Sequence, residues 1–209
     1  MSVSVVVVDS GSGNLRSVEK AVARAGAEVT VTRDPDRVAR ASKLVLPGQG
    51  AFGSSMEGLE REGGALKQAV LEAVARGTPY LGLCIGMQIL FESSEEEPGR
   101  RGLGLVPGRV VRFRVPPPLR VPHMGWNECL AGAAAARSPA LRGLPRGSWF
   151  YFMHSYYAEP ADGADVALEA EHGARFCAAV ARDNITGVVF HPEKSQEAGL
   201  ALLSGFVTA

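Results

Sequence analysis

Tyr80-Leu81-Gly82-Leu83-Cys84-Ile85-Gly86 is the stretch on which the reading of this chain turns. Tyr80 to Leu83 is a short apolar run suited to a buried strand, and a helix is expected directly after Cys84. The spacing G-x-C-x-G is that of the nucleophile elbow G-x-S-x-G, with sulfur in place of oxygen. A side chain presented on a sharp strand-to-helix turn crowds its neighbours, and glycines two residues to either side relieve that crowding. At a helix N-terminus the macrodipole and free N–H groups favour a thiolate. The N–H of Ile85, the next residue, can donate to an oxyanion. Cysteine is also common as a small buried residue, so the rest of the chain has to decide between the two readings.

Working outward toward the N-terminus, strand and helix signals alternate. Val3 to Val8 is a β-branched run ending at Asp9, followed by the glycine-rich turn Ser10-Gly11-Ser12-Gly13. Asn14 to Ala25 has helical spacing through Leu15, Val18, Val22 and Ala25, with Gly26 as its stop. Glu28 to Thr32 and Lys43 to Leu46 are further strands, the latter closed by Pro47-Gly48. Ala65 to Arg76 is a helix stopped by Gly77. Continuous apolar strands separated by helices predict a mostly parallel central sheet covered on both faces. In such α/β sheets the active site lies at the C-terminal strand ends, where Pro47-Gly48 and Cys84 both fall.

Toward the C-terminus the character changes. Leu103 to Phe113 is rich in glycine and β-branched residues, and Pro116-Pro117-Pro118 is a stiff connector. Trp149 to Ala158 reads as an aromatic strand pair or hairpin. Asp165 to Glu171, Phe176 to Ala181 and Ile185 to Phe190 read as strands between turn signals. These predict antiparallel strands added to the parallel core. Ala198 to Val207 is a closing helix, and the alanine-rich piece around residues 131–136 is ambiguous. No repeat or linker divides the 209 residues, so a single domain spanning 1–209 is expected.

Composition narrows the function. Lys+Arg and Asp+Glu are 22 each, which gives no net positive field for nucleic acid or a membrane surface. Arg100, Arg101, Arg109, Arg112, Arg114 and Arg120 make a locally basic stretch, read either as a solvated loop edge or as a surface for a partner or phosphorylated substrate. Cys84, Cys129 and Cys177 have no paired spacing for a disulfide framework, and no cysteine or histidine cluster points to a metal. The apolar start lacks a basic leader and is too short to span a membrane, so a cytoplasmic protein is expected.

The segment that settles the reading of Cys84 is Val188-Val189-Phe190-His191-Pro192-Glu193. It ends an apolar strand with a base and a carboxylate. Residues two apart in extended chain share a side, so Glu193 is placed to orient His191. A histidine so oriented can take a proton from Cys84 and return it to a leaving amine. A third segment, Leu46-Pro47-Gly48-Gln49-Gly50, has glycines that free the backbone to turn N–H groups toward a ligand.

With these segments in hand, the chain resembles the class I (triad) glutamine amidotransferases, nearly end to end. Within them it is most similar to the glutaminase subunits that serve a separate cyclase in histidine biosynthesis. The resemblance is carried by residues 9–15, 47–52, 82–88 and 102–108, by Met124-Gly125-Trp126-Asn127, by His154-Ser155-Tyr156-Tyr157 and by residues 191–195. The cysteine elbow and His-Pro-Glu are shared widely and fix only the chemistry. The glycine-rich start, Met-Gly-Trp-Asn and His-Ser-Tyr-Tyr are specific to that branch. Two positions depart from it: Ser10 stands where tyrosine is usual and Gln49 where valine is common.

The resemblance implies a flavodoxin-like α/β fold and a catalytic triad of Cys84, His191 and Glu193. It implies oxyanion donors from the backbone of Ile85 and of Gln49 or Gly50, and glutamine binding by Gly50, Gln88, Ser155 and Tyr156. Met87 and Leu90 are expected in the core. It implies a heterodimer with a (β/α)8-barrel cyclase subunit of the synthase that makes imidazole glycerol phosphate, with Asn14, Trp126 and Lys194 near the partner face, and no cofactor or metal. Two other readings stand beside this one. The first is a glutaminase serving another pathway, such as cytidine triphosphate, guanosine monophosphate or pyridoxal phosphate synthesis. The second is a non-catalytic regulatory protein of the same fold, against which the complete Cys84, His191 and Glu193 set argues.

Overall fold

The computed structural model describes residues 3–11 and 13–209. Ser12 of the predicted glycine-rich turn, together with Met1 and Ser2, lies outside the described residues. The elements run β1 (Val3–Val8), α1 (Leu15–Arg24), β2 (Ala27–Thr32), α2 (Pro35–Ala39), β3 (Leu44–Gly48), α3 (Phe52–Glu60), α4 (Ala65–Ala75), β4 (Tyr80–Cys84) and α5 (Ile85–Gln88). They continue with β5 (Ser93–Ser94), β6 (Gly108–Arg112), β7 (His123–Ala131), β8 (Ser148–His154), β9 (Tyr156–Pro160), β10 (Val166–Glu171), β11 (Arg175–Arg182), β12 (Ile185–Val188) and α6 (Gln196–Thr208).

The strands form one sheet in the order β2-β1-β3-β4-β12-β11-β10-β7-β8, with β9 pairing β11 and β6, and β5 pairing β6. The first five are parallel and give the 2-1-3-4-5 order of flavodoxin-like sheets, with β12 in the fifth place. From β11 onward the pairing is antiparallel. The inner strands β3 and β4 are covered on both faces and buried at every residue, while the edge strand β2 is only partly covered. In α4 the buried Leu66, Ala69, Val70, Ala73 and Val74 recur at helical spacing. In α1 the buried residues are Val18 and Val22, and Gly26 follows the helix with φ +100°. The C-terminus is tied down by Lys43, whose Nζ donates to the Phe206 and Ala209 oxygens at 2.7 Å each, closing the carbonyl end of α6.

Three expectations need correction. Trp149–Ala158 is not a hairpin: β8 pairs β7, while β9 pairs β6 and β11. Only Ser155 separates the two strands, too little for a reversing turn, so the chain passes from one partner set to the other. The helix after Cys84 is a single turn of four residues, so little macrodipole builds behind the sulfur. Glu193 does not reach His191 along extended chain. β12 ends at Val188, and Pro192–Lys194 form a 3₁₀ turn that brings the two side chains together. Three of the six arginines of the basic stretch are paired: Arg100 with Glu60 at 2.6 Å, Arg109 with Glu159 at 3.0 Å and Arg114 with Glu95 at 3.1 Å. It fits a solvated edge better than a surface for phosphate.

Candidate active site

The register of the parallel strands assembles the site. Gly48 at the end of β3 lies opposite Cys84 at the end of β4, and Val188 of β12 lies opposite Leu83. The chain leaving β12 therefore carries His191 to the mouth of the same strand ends. Cys84 has φ +53° and ψ −108°, a backbone conformation that non-glycine residues adopt only when the surroundings enforce it. The enforcement is visible. A Cβ at Gly86 would fall 1.8 Å from the Leu46 carbonyl oxygen, and one at Gly82 would fall 2.4 Å from the Gly86 oxygen. Strand, turn and helix pack with no room for a side chain at either position. The buried Tyr80 hydroxyl donates to the same Gly86 oxygen at 2.9 Å.

His191 Nδ1 and Glu193 Oε1 are 2.9 Å apart, with both side chains almost fully buried. Burial alone would push the imidazole pKa down. Hydrogen bonding and attraction from Cys84 and Glu193 outweigh it and hold the pKa at about 9. The interaction with Cys84 acts through proximity, because among the described residues Nε2 has no hydrogen-bond partner of ordinary geometry. The histidine backbone is clamped to β8. His191 N–H donates to the Tyr151 carbonyl at 2.9 Å. The Ser195 hydroxyl donates to the His191 carbonyl at 2.6 Å and accepts from the Tyr151 N–H at 3.0 Å. Ser195 falls within the motif of residues 191–195, but its fastening role has no signal in sequence.

A cavity of about 170 Å³ opens on this site. Its walls include Gln49, Gly50, Cys84, Ile85, Gln88, Ser155, Tyr156 and His191, together with Glu96, Pro122, Met153 and His154. The structure thus gathers every residue expected in the triad, the oxyanion backbone or the glutamine pocket at this one place, with Glu193 just behind His191. Met87 and Leu90 are buried in the core. Glu96 was not foreseen. Its Oε2 accepts from the Phe52 N–H at 2.8 Å, capping α3, so its carboxylate is fixed in the cavity wall. Nothing in the sequence analysis marked Glu96, which is distinguished by its bond to the Phe52 N–H. Gln88 Nε2 donates to the Tyr156 carbonyl at 3.3 Å, which leaves its buried Oε1 without a partner.

The three residues expected near a partner do not form one cluster. Trp126, on β7, lies edge-on to the Tyr151 ring at 6.1 Å, and Lys194 Nζ lies 5.9 Å from the same ring. They belong to an exposed face of the β7–β8 ribbon that also carries Met124 and Trp149. Asn14 instead precedes α1, next to Gly13, where a Cβ would stand 3.4 Å from Gly48 Cα. That places its turn against the loop holding Gln49. The departing residue Ser10 is buried, its carbonyl packed against Gly58 of α3.

Among the described residues, no group of three histidine, cysteine, aspartate or glutamate side chains stands ready to hold a metal, and no helix is long and apolar enough to cross a membrane. Comparison with known proteins identifies the family. Residues 6–208 match the family model for glutamine amidotransferase class-I. The relatives include proteins named imidazole glycerol phosphate synthase subunit HisH. That of Methylococcus capsulatus is 49% identical, covering 98% of this chain and 95% of its own. That of Rhodopirellula baltica is 45% identical over 98% and 97%. That of Methanothermobacter thermautotrophicus is 46% identical over 97% and 97%. Among solved structures, PurLQS from Thermotoga maritima superposes with a TM-score of 0.77 at 19% identity, covering 100% of this chain and 99% of that one. The glutaminase domain of Trypanosoma brucei CTPS gives 0.64 at 14%, covering 99% and 94%. At such identities these two speak for the fold alone. The matched family model and the end-to-end relatives establish that this chain belongs to the class I glutamine amidotransferases.

Proposed function

We propose that the chain is the glutaminase subunit of an imidazole glycerol phosphate synthase. It hydrolyses glutamine to glutamate and ammonia and passes the ammonia to a separate cyclase subunit in histidine biosynthesis. The observation that carries the chemistry is Cys84, held at positive φ beside His191 in the wall of a cavity of about 170 Å³, with Glu193 behind His191 to orient it. The pathway is supported by the full-length relatives named as subunits of that synthase.

The Cys84 sulfur attacks the carboxamide carbon, and the carbonyl oxygen becomes an oxyanion. The N–H of Ile85 and that of Gln49 or Gly50 receive it, and losing one such donor typically costs about 3–4 kcal/mol of transition-state stabilisation. His191 delivers its proton to the departing nitrogen, which leaves as ammonia, and a glutamyl thioester remains. Neutral His191 then takes a proton from water, whose oxygen attacks the thioester and releases glutamate. Glu96 and Gln88 Oε1 are acceptors in the cavity wall, suited to the substrate α-ammonium group. Gly50, Ser155 and Tyr156 complete the pocket through their backbone.

The partner is a (β/α)8-barrel cyclase subunit, and the complex is a cytoplasmic heterodimer that turns the ammonia and a nucleotide substrate into imidazole glycerol phosphate and AICAR. Trp126, Tyr151 and Lys194 face it, with Asn14 at the margin. Exposed aromatic side chains are enriched at interfaces, and Tyr151 is also the residue to which His191 is clamped. The test is glutamate release from glutamine by the purified chain, alone and with the barrel cyclase plus its nucleotide substrate. Strong stimulation by that pair is expected. Turnover indifferent to the cyclase would overturn the pathway, and absence of turnover in both cases, with Cys84 reduced, would overturn the chemistry.

A further inference from the structure

Beside the cavity, the buried His123 and His154, the half-buried His172 and the phenylalanines around them form a cluster that the hydrolysis steps above do not use. His154 Nδ1 lies 2.8 Å from the Tyr156 carbonyl, the same oxygen that accepts from Gln88. His154 Nε2 lies 3.0 Å from His123 Nδ1, and His123 Nε2 lies 3.2 Å from Asn127 Nδ2. Asn127 Nδ2 also donates to the Glu171 carbonyl at 2.8 Å, while its Oδ1 accepts from the Glu128 N–H at 2.9 Å.

The two ends of this chain leave one assignment of its protons. A carbonyl oxygen can only accept, so His154 Nδ1 carries hydrogen. The Asn127 amide is fixed by a carbonyl on its nitrogen and an N–H on its oxygen, so Nδ2 can only donate, and His123 Nε2 must be bare. Between a fixed acceptor and a fixed donor, each imidazole has one hydrogen, on Nδ1, and each Nε2 accepts. Protonating either ring would set two N–H groups against each other. The surroundings agree. Burial first, opposed by the bond to Tyr156, and then the neighbouring His123, His191 and His172 leave His154 at a pKa of about 3. Burial and His172, stacked at 4.4 Å, push His123 down to about 4.

We propose that His154 and His123 are positioning residues of the glutamine pocket: two neutral imidazoles, both locked as the Nδ1–H tautomer, that hold the Tyr156 carbonyl and through it turn Gln88 so that its Oε1 serves the substrate as an acceptor. The positioning role rests on the glutaminase reading, but the tautomers do not. Gln88 can point its nitrogen at Tyr156 only while that carbonyl stays in place. His154 is a wall of the cavity, and His123 is its cross-strand partner in the β7–β8 ribbon. A substitution that removes the chain but keeps the ring packing should therefore act on substrate affinity and spare the sulfur chemistry.

Two measurements test this. Long-range ¹⁵N–¹H correlation on the full chain at neutral pH should show both imidazoles protonated at Nδ1 and bare at Nε2. An Nε2–H or doubly protonated ring at either position overturns the proposal without reference to activity. The second is saturation kinetics of Cys84 labelling by a glutamine-analogue chloroketone, with iodoacetamide as a probe that needs no glutamine pocket. His154→Phe should raise the half-saturation concentration about tenfold or more with a limiting rate within about threefold of wild type. His154→Asn, which keeps an N–H near the Nδ1 position, should restore most of the affinity. Equal losses in both parameters and with both probes, or no rescue by asparagine, would make His154 merely structural and overturn the positioning role. If wild type reacts with iodoacetamide but is never saturated by the analogue, the glutaminase reading fails instead, and the tautomers still stand or fall on the spectrum.

Discussion

At the scale of single residues, the proposed chemistry requires Cys84 and His191 to act as a unit. Cys84→Ala should lower glutamine-dependent synthesis by at least about 10⁴-fold while synthesis from added ammonium persists, because on the proposed function the ammonia-consuming step belongs to the partner. Retention of glutamine use by that variant would show that another group is the nucleophile. His191 gives a pH prediction whose sign follows from its raised pKa. The folded state holds the proton more tightly than the unfolded chain, so the stabilisation is complete below the ordinary value of 6.5 and is lost as pH rises through about 9. The melting-temperature gap between wild type and His191→Ala should be widest below about pH 6.5 and close above about 9, as read by calorimetry across that range. Thioester formation should weaken on the same basic limb, since the proton lost there is the one given to ammonia.

At the scale of elements, the parallel half was legible because its inner strands β3 and β4 are buried at every residue and α1 and α4 are stopped by Gly26 and Gly77. The elbow was legible because Gly82 and Gly86 are forced by backbone contacts on either side of Cys84. What escaped was set by long-range packing. α3 begins where Glu96, 44 residues away in sequence, caps Phe52, and no local signal announces it. β7, beginning at His123, is a strand because β8 and β10 pair with it. α2 could have been read, since Asp34 accepts from the Asp36 N–H and Pro35 opens the helix. Lys43 was read only as the start of a strand, yet its ammonium closes α6. Lys43→Met keeps the buried stem but removes two charge-assisted hydrogen bonds. It should destabilise the fold by about 2–3 kcal/mol in denaturant titration and leave Cys84 labelling at low temperature unchanged. A shift under about 0.5 kcal/mol would mean that solvent replaces those bonds.

At the scale of the whole molecule, one sheet carries two tasks. Its parallel half delivers the proposed nucleophile Cys84 and the proposed base His191 at strand ends, and its antiparallel half presents an aromatic ribbon to the outside. The two meet at Tyr151, whose backbone holds His191 and Ser195 while its ring faces Trp126 and Lys194. On the proposed docking, Trp126→Ala should weaken association with the cyclase by about 2 kcal/mol or more, measured by calorimetric titration, with alkylation of isolated Cys84 unaffected. Undiminished affinity would move the interface elsewhere. The distribution of thiols across this sheet has a further consequence. Cys129 and Cys177 are both buried in the antiparallel half, and burial pushes each thiol far above its ordinary range, so neither ionises at neutral pH. Cys84 instead opens on the active-site cavity, beside His191. For reagents that need a thiolate, the native chain behaves as a single-thiol protein, and the stoichiometry of one mild alkylation counts the competent molecules in a preparation without any engineered substitution.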